Sequence, residues 1–184
     1  MEERTIHPDL ESILYTREEL TVAVKALGEK ITQDYQGKDL VMVCILKGAA
    51  PFFTDLIRSI DLPMNIDFMV VSSYGASTKS TGEVQLVKDM SYSVSGKDVI
   101  IVEDIVDTGM TLSYLKKVFQ DRNTNSVRIA TLLDKPERRK VVLEPDYKCF
   151  TIPDAFVVGY GLDYAEQYRN LPDVGILAPR VYEK

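Results

Sequence analysis

The sequence predicts a single α/β domain whose core is a parallel β-sheet flanked by helices. Continuous apolar runs alternate along the chain with segments in which apolar residues recur at helical spacing, as in chains that form βαβ units. The length of 184 residues suits one domain, which we expect to span residues 1–184. The composition, 45% hydrophobic and 27% charged, is that of an ordinary globular protein.

The first half of the chain predicts a helix, a strand and a second helix. Thr16 and Glu19 have the spacing of a capping box, and Gly37 marks the expected end of the first helix. The apolar residues between them recur at helical spacing: Leu20, Ala23, Val24, Leu27 and Ile31. The uninterrupted apolar run at 40–46 predicts a strand buried on both faces, and 51–60 predicts the helix after it.

Further strands are predicted along the rest of the chain. They lie at 66–71, 84–87, 99–102, 127–133 and 156–158. One more helix is predicted from an apolar stripe made by Leu112, Leu115, Val118 and Phe119.

Polar residues directly follow the predicted strands. In open α/β sheets, ligands bind beyond the carboxyl ends of the strands. We therefore expect the following residues to converge on one edge of the sheet: Lys47-Gly48, Ser73-Tyr74, Glu103 to Thr111, Lys135 and Gly159 to Asp163.

Composition argues against several classes of protein. The net charge of −6 argues against nucleic acid as a partner, because such binding depends on basic residues. No run approaches 18 apolar residues and the N-terminus carries no apolar signal segment, so neither membrane insertion nor secretion is expected. Cys44, in an apolar run, and Cys149, in a polar connection, lack a CxxC partner, which indicates an intracellular, reducing setting. The single histidine, His7, argues against a catalytic triad or a His-rich zinc site.

The most informative segment is Val-Ile-Ile-Val-Glu-Asp-Ile-Val-Asp-Thr-Gly-Met-Thr-Leu, at 99–112. Glu103, Asp104 and Asp107 follow a strand that should be buried, where like charges raise one another's pKa unless a cation or donors compensate. Glu103 and Asp104 point to opposite faces of a strand and need not share a ligand directly. At a strand end, both can still border one ligand through Mg²⁺ and its waters.

The residues after Asp107 predict an anion-binding turn at the start of a helix. Gly109 permits a positive φ, and successive N–H groups at a helix start bind anions. Thr108 and Thr111 add hydroxyl donors. Taken alone, Asp-Thr-Gly is more often a helix cap with a solvated acidic turn. The combination of apolar strand, paired acids, glycine and two threonines favours a ligand with a phosphate and a cation-bound part.

The segment resembles the phosphoribosyl pyrophosphate (PRPP) signature of the type I phosphoribosyltransferases, in the form found in their hypoxanthine-guanine branch. The similarity extends in order from Leu46-Lys47-Gly48 to Arg169. It implies that Glu103 and Asp104 hold the ribose hydroxyls and their Mg²⁺, and that Asp107 is the general base at the purine N7. The 5′-phosphate would be bound by Asp107, Thr108, Gly109, Met110 and Thr111, with Met110 using mainly its backbone N–H.

The resemblance assigns roles to the other strand ends as well. Lys47 and Gly48 would form the pyrophosphate loop, often preceded by a cis peptide bond, and Arg169 would also bind pyrophosphate. Ser73 and Tyr74 would belong to a mobile loop at about 72–82 that closes as a lid. Lys135 would donate to the purine 6-oxo group, Phe156 would stack on the base, and Val157 would contact the base edge through its backbone. Asp163 would help to bind a Mg²⁺ ion and would contact the edge of the base.

Each of these residues has a simpler interpretation when it is taken alone. Lys47-Gly48 could be an ordinary turn, 72–82 a loose hairpin, Lys135 a surface lysine and Phe156 a core residue. Gly159-Tyr-Gly161 lacks the third glycine of a dinucleotide fingerprint, and the chain contains no P-loop.

By resemblance, the fold would be that of the type I phosphoribosyltransferases, with a small hood built from the N-terminal arm and the C-terminal segment. The implied reaction joins PRPP to hypoxanthine or guanine, giving IMP or GMP and pyrophosphate, in a cytoplasmic homodimer or homotetramer. Two alternative interpretations of the sequence are disfavoured. An RNA-binding regulator of the same fold should have a basic face and lack an acid at Asp107, and a phosphoacceptor receiver domain would need a longer separation between Asp107 and Lys135.

Overall fold

The computed structural model describes residues 6–73 and 84–183, which form two β-sheets and four α-helices. The strands are β1 (Leu10–Tyr15), β2 (Leu40–Leu46), β3 (Met64–Ser73), β4 (Val84–Lys88), β5 (Asp98–Val106), β6 (Ser126–Asp134), β7 (Tyr147–Thr151), β8 (Val157–Val158) and β9 (Val174–Leu177). The helices are α1 (Arg17–Asp34), α2 (Ala50–Arg58), α3 (Met110–Gln120) and α4 (Pro179–Tyr182). None of these helices has the length and apolarity to cross a membrane.

The larger sheet confirms the predicted α/β class. Its strand order is β4-β3-β2-β5-β6-β7, and every neighbouring pair except β3–β4 is parallel. The carboxyl ends of β2, β5 and β6 therefore lie at one edge of the sheet. This edge receives the segments that begin at Lys47, Asp107 and Lys135.

Strand β2 is apolar throughout because both of its faces are buried. Met42 and Cys44 pack into one cluster with residues of α1 and α2, while Val41 and Val43 pack into a second cluster with residues of α3. The continuous apolar run therefore has the physical cause that was predicted, with helices covering both faces of the sheet.

The capping box predicted for α1 is present. The Glu19 backbone N–H donates to Thr16 Oγ1 at 3.3 Å, and the Thr16 N–H donates to Glu19 Oε2 at 2.8 Å. The Thr16 backbone N–H and the Thr16 hydroxyl both donate to the Glu19 carboxylate, and this lowers the pKa of Glu19. The α-helix ends at Asp34, slightly before Gly37, which has a φ of 74°.

The smaller sheet was not predicted as a unit. It has the order β1-β9-β8, all antiparallel, and combines strands from the two ends of the described chain. Strands β1, β7 and β9 were missed because they are short and do not alternate clearly between apolar and polar residues. The strand predicted at 156–158 pairs in this sheet rather than in the larger one, and Cys149, expected in a connection, lies in β7. The extent of the domain over residues 1–184 stays a prediction.

Candidate functional site

A cavity of about 510 Å³ opens at the carboxyl ends of β2 and β5. Its lining includes many of the residues predicted from sequence: Lys47, Gly48, Glu103, Asp104, Asp107, Thr108, Gly109, Thr111, Asp163 and Arg169. The parallel sheet therefore brings together segments that lie far apart in the chain. The cavity is lined by both acidic and basic side chains and by the backbone of a helix start.

Gly48 lies against the acidic pair at the end of β5. A Cβ atom placed on Gly48 would be 1.7 Å from Asp104 Oδ2, so only glycine fits beside this carboxylate as it stands. The Leu46–Lys47 peptide bond is cis. Gly161, with a φ of 102°, approaches the same loop, since a Cβ on it would be 2.0 Å from the Gly48 carbonyl oxygen.

Glu103 and Asp104 form a partly buried carboxylate pair at the end of β5. Burial, reinforced by the neighbouring Asp104 charge, raises the pKa of Glu103 well above its ordinary value. Burial also raises the pKa of Asp104, whose Oδ1 accepts the Ile105 backbone N–H at 2.7 Å. Two desolvated carboxylates side by side favour a bound cation or a bound proton.

The turn after β5 has the geometry expected of an anion cradle. Gly109 is the N-cap of α3 and has a φ of 79°, as predicted. A Cβ there would also be 2.9 Å from Arg139 Cδ, so the position excludes side chains for two reasons. The Met110 backbone N–H lies 3.4 Å from Thr108 Oγ1. Thr108, Gly109 and Thr111 line the cavity, so the start of α3 borders it.

Two arginines beyond β6 hold Asp107. Arg138 Nε lies 2.8 Å from Asp107 Oδ1, although this oxygen has no well-directed hydrogen bond within the described residues. Arg139 Nη1 donates to the Asp107 carbonyl oxygen at 2.6 Å, and its Nη2 pairs with Asp134. Asp134 is fully buried and also accepts from Lys148 Nζ at 2.8 Å. The side chain of Asp107 thus contacts the half-exposed Arg138, and its backbone carbonyl is held by the largely buried Arg139.

Arg169 closes the opposite side of the cavity. Its Nη1 donates to the Gly161 carbonyl at 2.8 Å, and its Nη2 lies 2.8 Å from Asp163 Oδ1. The Arg169 Nε atom is buried without an acceptor among the described residues. Glu166 contacts Arg169 at 3.4 Å and Lys47 Nζ at 2.9 Å, and the second contact lowers the pKa of Glu166.

The backbone near Arg169 departs from ordinary geometry. In the segment 160–168, four residues other than glycine have a positive φ: Tyr160, Ala165, Glu166 and Tyr168. Such conformations persist only where the surroundings enforce them, and they concentrate at functional sites.

Among the residues predicted to contact a purine, Asp107 and Asp163 line this cavity, whereas Lys135, Phe156 and Val157 are not part of its lining. Lys135 is buried, with its backbone N–H donating to the Val106 carbonyl at 2.9 Å. Val157 is buried in β8. Phe156 is 39% exposed, stacks on Tyr182 at a centroid distance of 5.0 Å and meets Tyr164 edge-on at 5.5 Å. An exposed aromatic ring held by two others is available for stacking and is not a core residue.

Some predicted residues cannot be placed. Tyr74 and most of the predicted lid at 72–82 lie outside the described residues. Ser73 ends β3, and nothing is assigned to its side chain. Met110 starts α3 and is 38% exposed. In the part of the chain that the structure describes, no three His, Cys, Asp or Glu side chains cluster as a metal site.

Sequence reasoning missed Arg138, Arg139, Asp154 and Glu166. The run Arg138-Arg139-Lys140, which begins three residues after Lys135, was the available signal, because clustered cations near a strand end can pair with carboxylates at the same edge. No local pattern marks Asp154 or Glu166, which reach the site only through the folding of distant segments.

The chain is similar to known proteins over nearly its whole length. A family model for the phosphoribosyl transferase domain matches residues 12–165. The hypoxanthine-guanine phosphoribosyltransferase of Streptococcus thermophilus is 51% identical over 179 residues, which cover 97% of this chain and 99% of that one.

Two solved structures are closely similar in fold. The hypoxanthine phosphoribosyltransferase of Staphylococcus aureus, in a tetragonal crystal form, is 53% identical, superposes with a TM-score of 0.94 and covers 100% of both chains. A mutant Trypanosoma cruzi hypoxanthine phosphoribosyltransferase, solved as a ternary substrates complex, is 40% identical with a TM-score of 0.91, covering 96% of this chain and 100% of that one.

Proposed function

Because the chain belongs to the family of hypoxanthine-guanine phosphoribosyltransferases, we propose that it transfers the 5-phosphoribosyl group of PRPP to hypoxanthine or guanine. The observation that carries the proposal is the meeting of the acidic pair, the anion cradle and Arg169 in one cavity. A substrate with a 5′-phosphate, ribose hydroxyls and a pyrophosphate matches these three features in turn. The products are IMP or GMP and pyrophosphate.

The residues of the cradle bind and orient the 5′-phosphate. The N–H groups at the start of α3 and the hydroxyls of Thr108 and Thr111 supply its donors. Lys47, Gly48 and Arg169 would bind the pyrophosphate. The Arg169 Nε, which has no acceptor among the described residues, could donate a hydrogen bond to it. Ser73 and Tyr74 are proposed to cover the site from the loop at 72–82 and to exclude water.

In the transfer step, a purine ring nitrogen forms a bond to the anomeric carbon while the bond from that carbon to pyrophosphate oxygen breaks. The anomeric carbon develops oxocarbenium character, as in other displacements at this position. Asp107 accepts the proton that the purine loses, at N7. Phe156 stacks on the base, the Val157 backbone meets its edge and Lys135 donates to its 6-oxo group.

Mg²⁺ is the proposed cofactor, and the donor set fits it. Magnesium is usually held by one or two carboxylates together with water and substrate oxygens, so a full cage of protein ligands is not required. Glu103 and Asp104 would hold it, with Asp163 as a further proposed ligand, and the ion would help to bind the ribose hydroxyls and would offset the negative charge of the pyrophosphate. Asp163 is at present engaged by Arg169, so its part in metal binding stays a prediction. A cytoplasmic homodimer or homotetramer also stays a prediction.

The test is to incubate the protein with PRPP, Mg²⁺ and one purine at a time, and to follow nucleotide formation. Hypoxanthine and guanine should react. Adenine presents an amino group to the donor Lys135 and should be rejected, since sites that require a hydrogen bond discriminate by about 10⁴–10⁵. Excess chelator should abolish turnover, and added Mg²⁺ should restore it. Equal use of adenine, or full activity in chelator, would contradict the assignments.

A further inference from the structure

Lys135 is a buried cation at the end of β6. Its side chain is 9% exposed. An ammonium group removed from water needs a compensating charge and hydrogen bonds, or else it loses its proton or moves back to solvent. The position of the Lys135 Nζ atom therefore depends on the group that faces it.

Asp154 provides that group. Asp154 Oδ1 lies 3.4 Å from Lys135 Nζ, and it is the carboxylate paired with this lysine among the described residues. Asp154 precedes Phe156 in the chain and is itself 47% exposed, so its substitution leaves no hole in the core. The Asp154 carboxylate thus links Lys135 to the segment that carries Phe156.

Asp154 is shared with a second cation. Arg138 Nη1 lies 3.5 Å from Asp154 Oδ1, while Arg138 Nε lies 2.8 Å from Asp107 Oδ1. Lys135, Asp154, Arg138 and Asp107 therefore form a chain of alternating charge. The two ends of this chain are the residues proposed to meet the 6-oxo group and the N7 proton, which are neighbours on one edge of a purine.

We propose that Asp154 is a positioning residue that determines the preference for 6-oxopurines by holding the Lys135 ammonium in place. This inference rests on the proposed function. Without the Asp154 charge, the Lys135 ammonium can turn towards solvent, and the site loses its fixed donor for the 6-oxo group. Asp154 is not among the residues proposed to bind the 5′-phosphate or the pyrophosphate, and it reaches Asp107 only through the half-exposed Arg138, so the use of PRPP should change little.

A double-mutant cycle tests this role. Asp154→Asn keeps the size of the side chain and removes its charge; Lys135→Met removes the ammonium and keeps the chain length. Asp154→Asn should lower kcat/KM for hypoxanthine and guanine about tenfold, mainly through KM, with the KM for PRPP unchanged. In the Lys135→Met background, Asp154→Asn should have a much smaller effect, because only the contact of Asp154 with Arg138 is left to lose.

Two further variants separate positioning from general effects. Asp154→Glu keeps the charge and should recover most of the lost kcat/KM. Glu137→Gln removes an exposed carboxylate from the neighbouring turn and should leave kcat/KM at the wild-type value. Thermal unfolding of each variant shows whether it is folded under the assay conditions.

The outcomes separate this inference from the proposed function. An impaired Lys135→Met together with an unimpaired Asp154→Asn, or effects that multiply independently in the double variant, would overturn the role of Asp154 alone. If Lys135→Met retains wild-type kcat/KM for hypoxanthine, the pocket assignment and this inference both fail. If the wild-type protein forms no nucleotide, the proposed function itself fails.

Discussion

Gly48 lies so close to Asp104 that a methyl group on the glycine would be 1.7 Å from the carboxylate oxygen Oδ2. The pyrophosphate loop proposed after β2 and the acidic pair at the end of β5 are therefore in direct contact. The atom that would clash is a carboxylate oxygen of Asp104, and a side chain can rotate away more easily than backbone can. A larger residue at position 48 should consequently displace Asp104 without unfolding the protein.

Gly48→Ala is expected to reduce kcat/KM for PRPP by about 10²-fold, because small displacements of substrate-binding groups have effects of this size. The free energy of unfolding should change by less than about 1 kcal/mol. Gly37→Ala is the matched control. Gly37 has a φ of 74° and no atom near the position of a Cβ, so alanine there would be strained only in its backbone. This substitution should cost about 1 kcal/mol of stability and leave activity intact. Urea unfolding and initial rates measure both, and a fully active Gly48→Ala would contradict the role of this contact.

Glu103→Gln should stabilise the ligand-free protein at neutral pH while lowering its activity. The pKa of Glu103 is raised in the folded state, so the folded protein holds this proton more tightly than the unfolded chain. Stability therefore falls as pH rises above the ordinary pKa of a glutamate, about 4.3, and the amide removes this loss. We expect a higher Tm than wild type at about pH 7.5 and equal Tm values at about pH 4. A lower Tm at neutral pH would show that the charged form is well compensated without ligand.

Asp107→Asn should lower kcat by about 10²–10⁴-fold, the usual contribution of a general base. The amide can still border the phosphate cradle, so the affinity for PRPP should change little. Asp121→Asn is the control, since Asp121 lies at the C-cap of α3, away from the cavity. Single-turnover measurements isolate the chemical step, and a wild-type rate for Asp107→Asn would exclude it as the base.

Arg139→Lys should impair PRPP use more than it impairs stability. A lysine can still pair with buried Asp134, but it lacks the planar group that reaches Asp134 and the Asp107 carbonyl together. We expect kcat/KM for PRPP to fall by about 10–100-fold. Lys148→Gln weakens the compensation of Asp134 without touching Asp107, so it should lower the Tm and spare the rate. The reverse pattern, with Lys148→Gln inactive and Arg139→Lys active, would show that Asp134 and not Asp107 is the group that matters.

The acidic motif and its cradle could be predicted from sequence because neighbours in the chain encode them. Gly109 adopts the predicted positive φ because the turn and the helix cap are local features. The two buried faces of β2 and the capping box of Thr16 were likewise readable, because strand and helix periods repeat over a few residues. A functional motif whose residues are neighbours in the chain can therefore be recognised from the sequence alone.

Only the tertiary structure decided which groups hold the motif in place. Asp154 lies 19 residues from Lys135, and Arg139 lies 32 residues from Asp107, with no periodicity linking either pair. The short strands β1 and β9 carry no clear apolar alternation, and β9 forms between β1 and β8, which lie far from one another in the chain. Local propensity determines which elements form. The contacts among those elements follow from how their faces pack, and this depends on the whole chain at once.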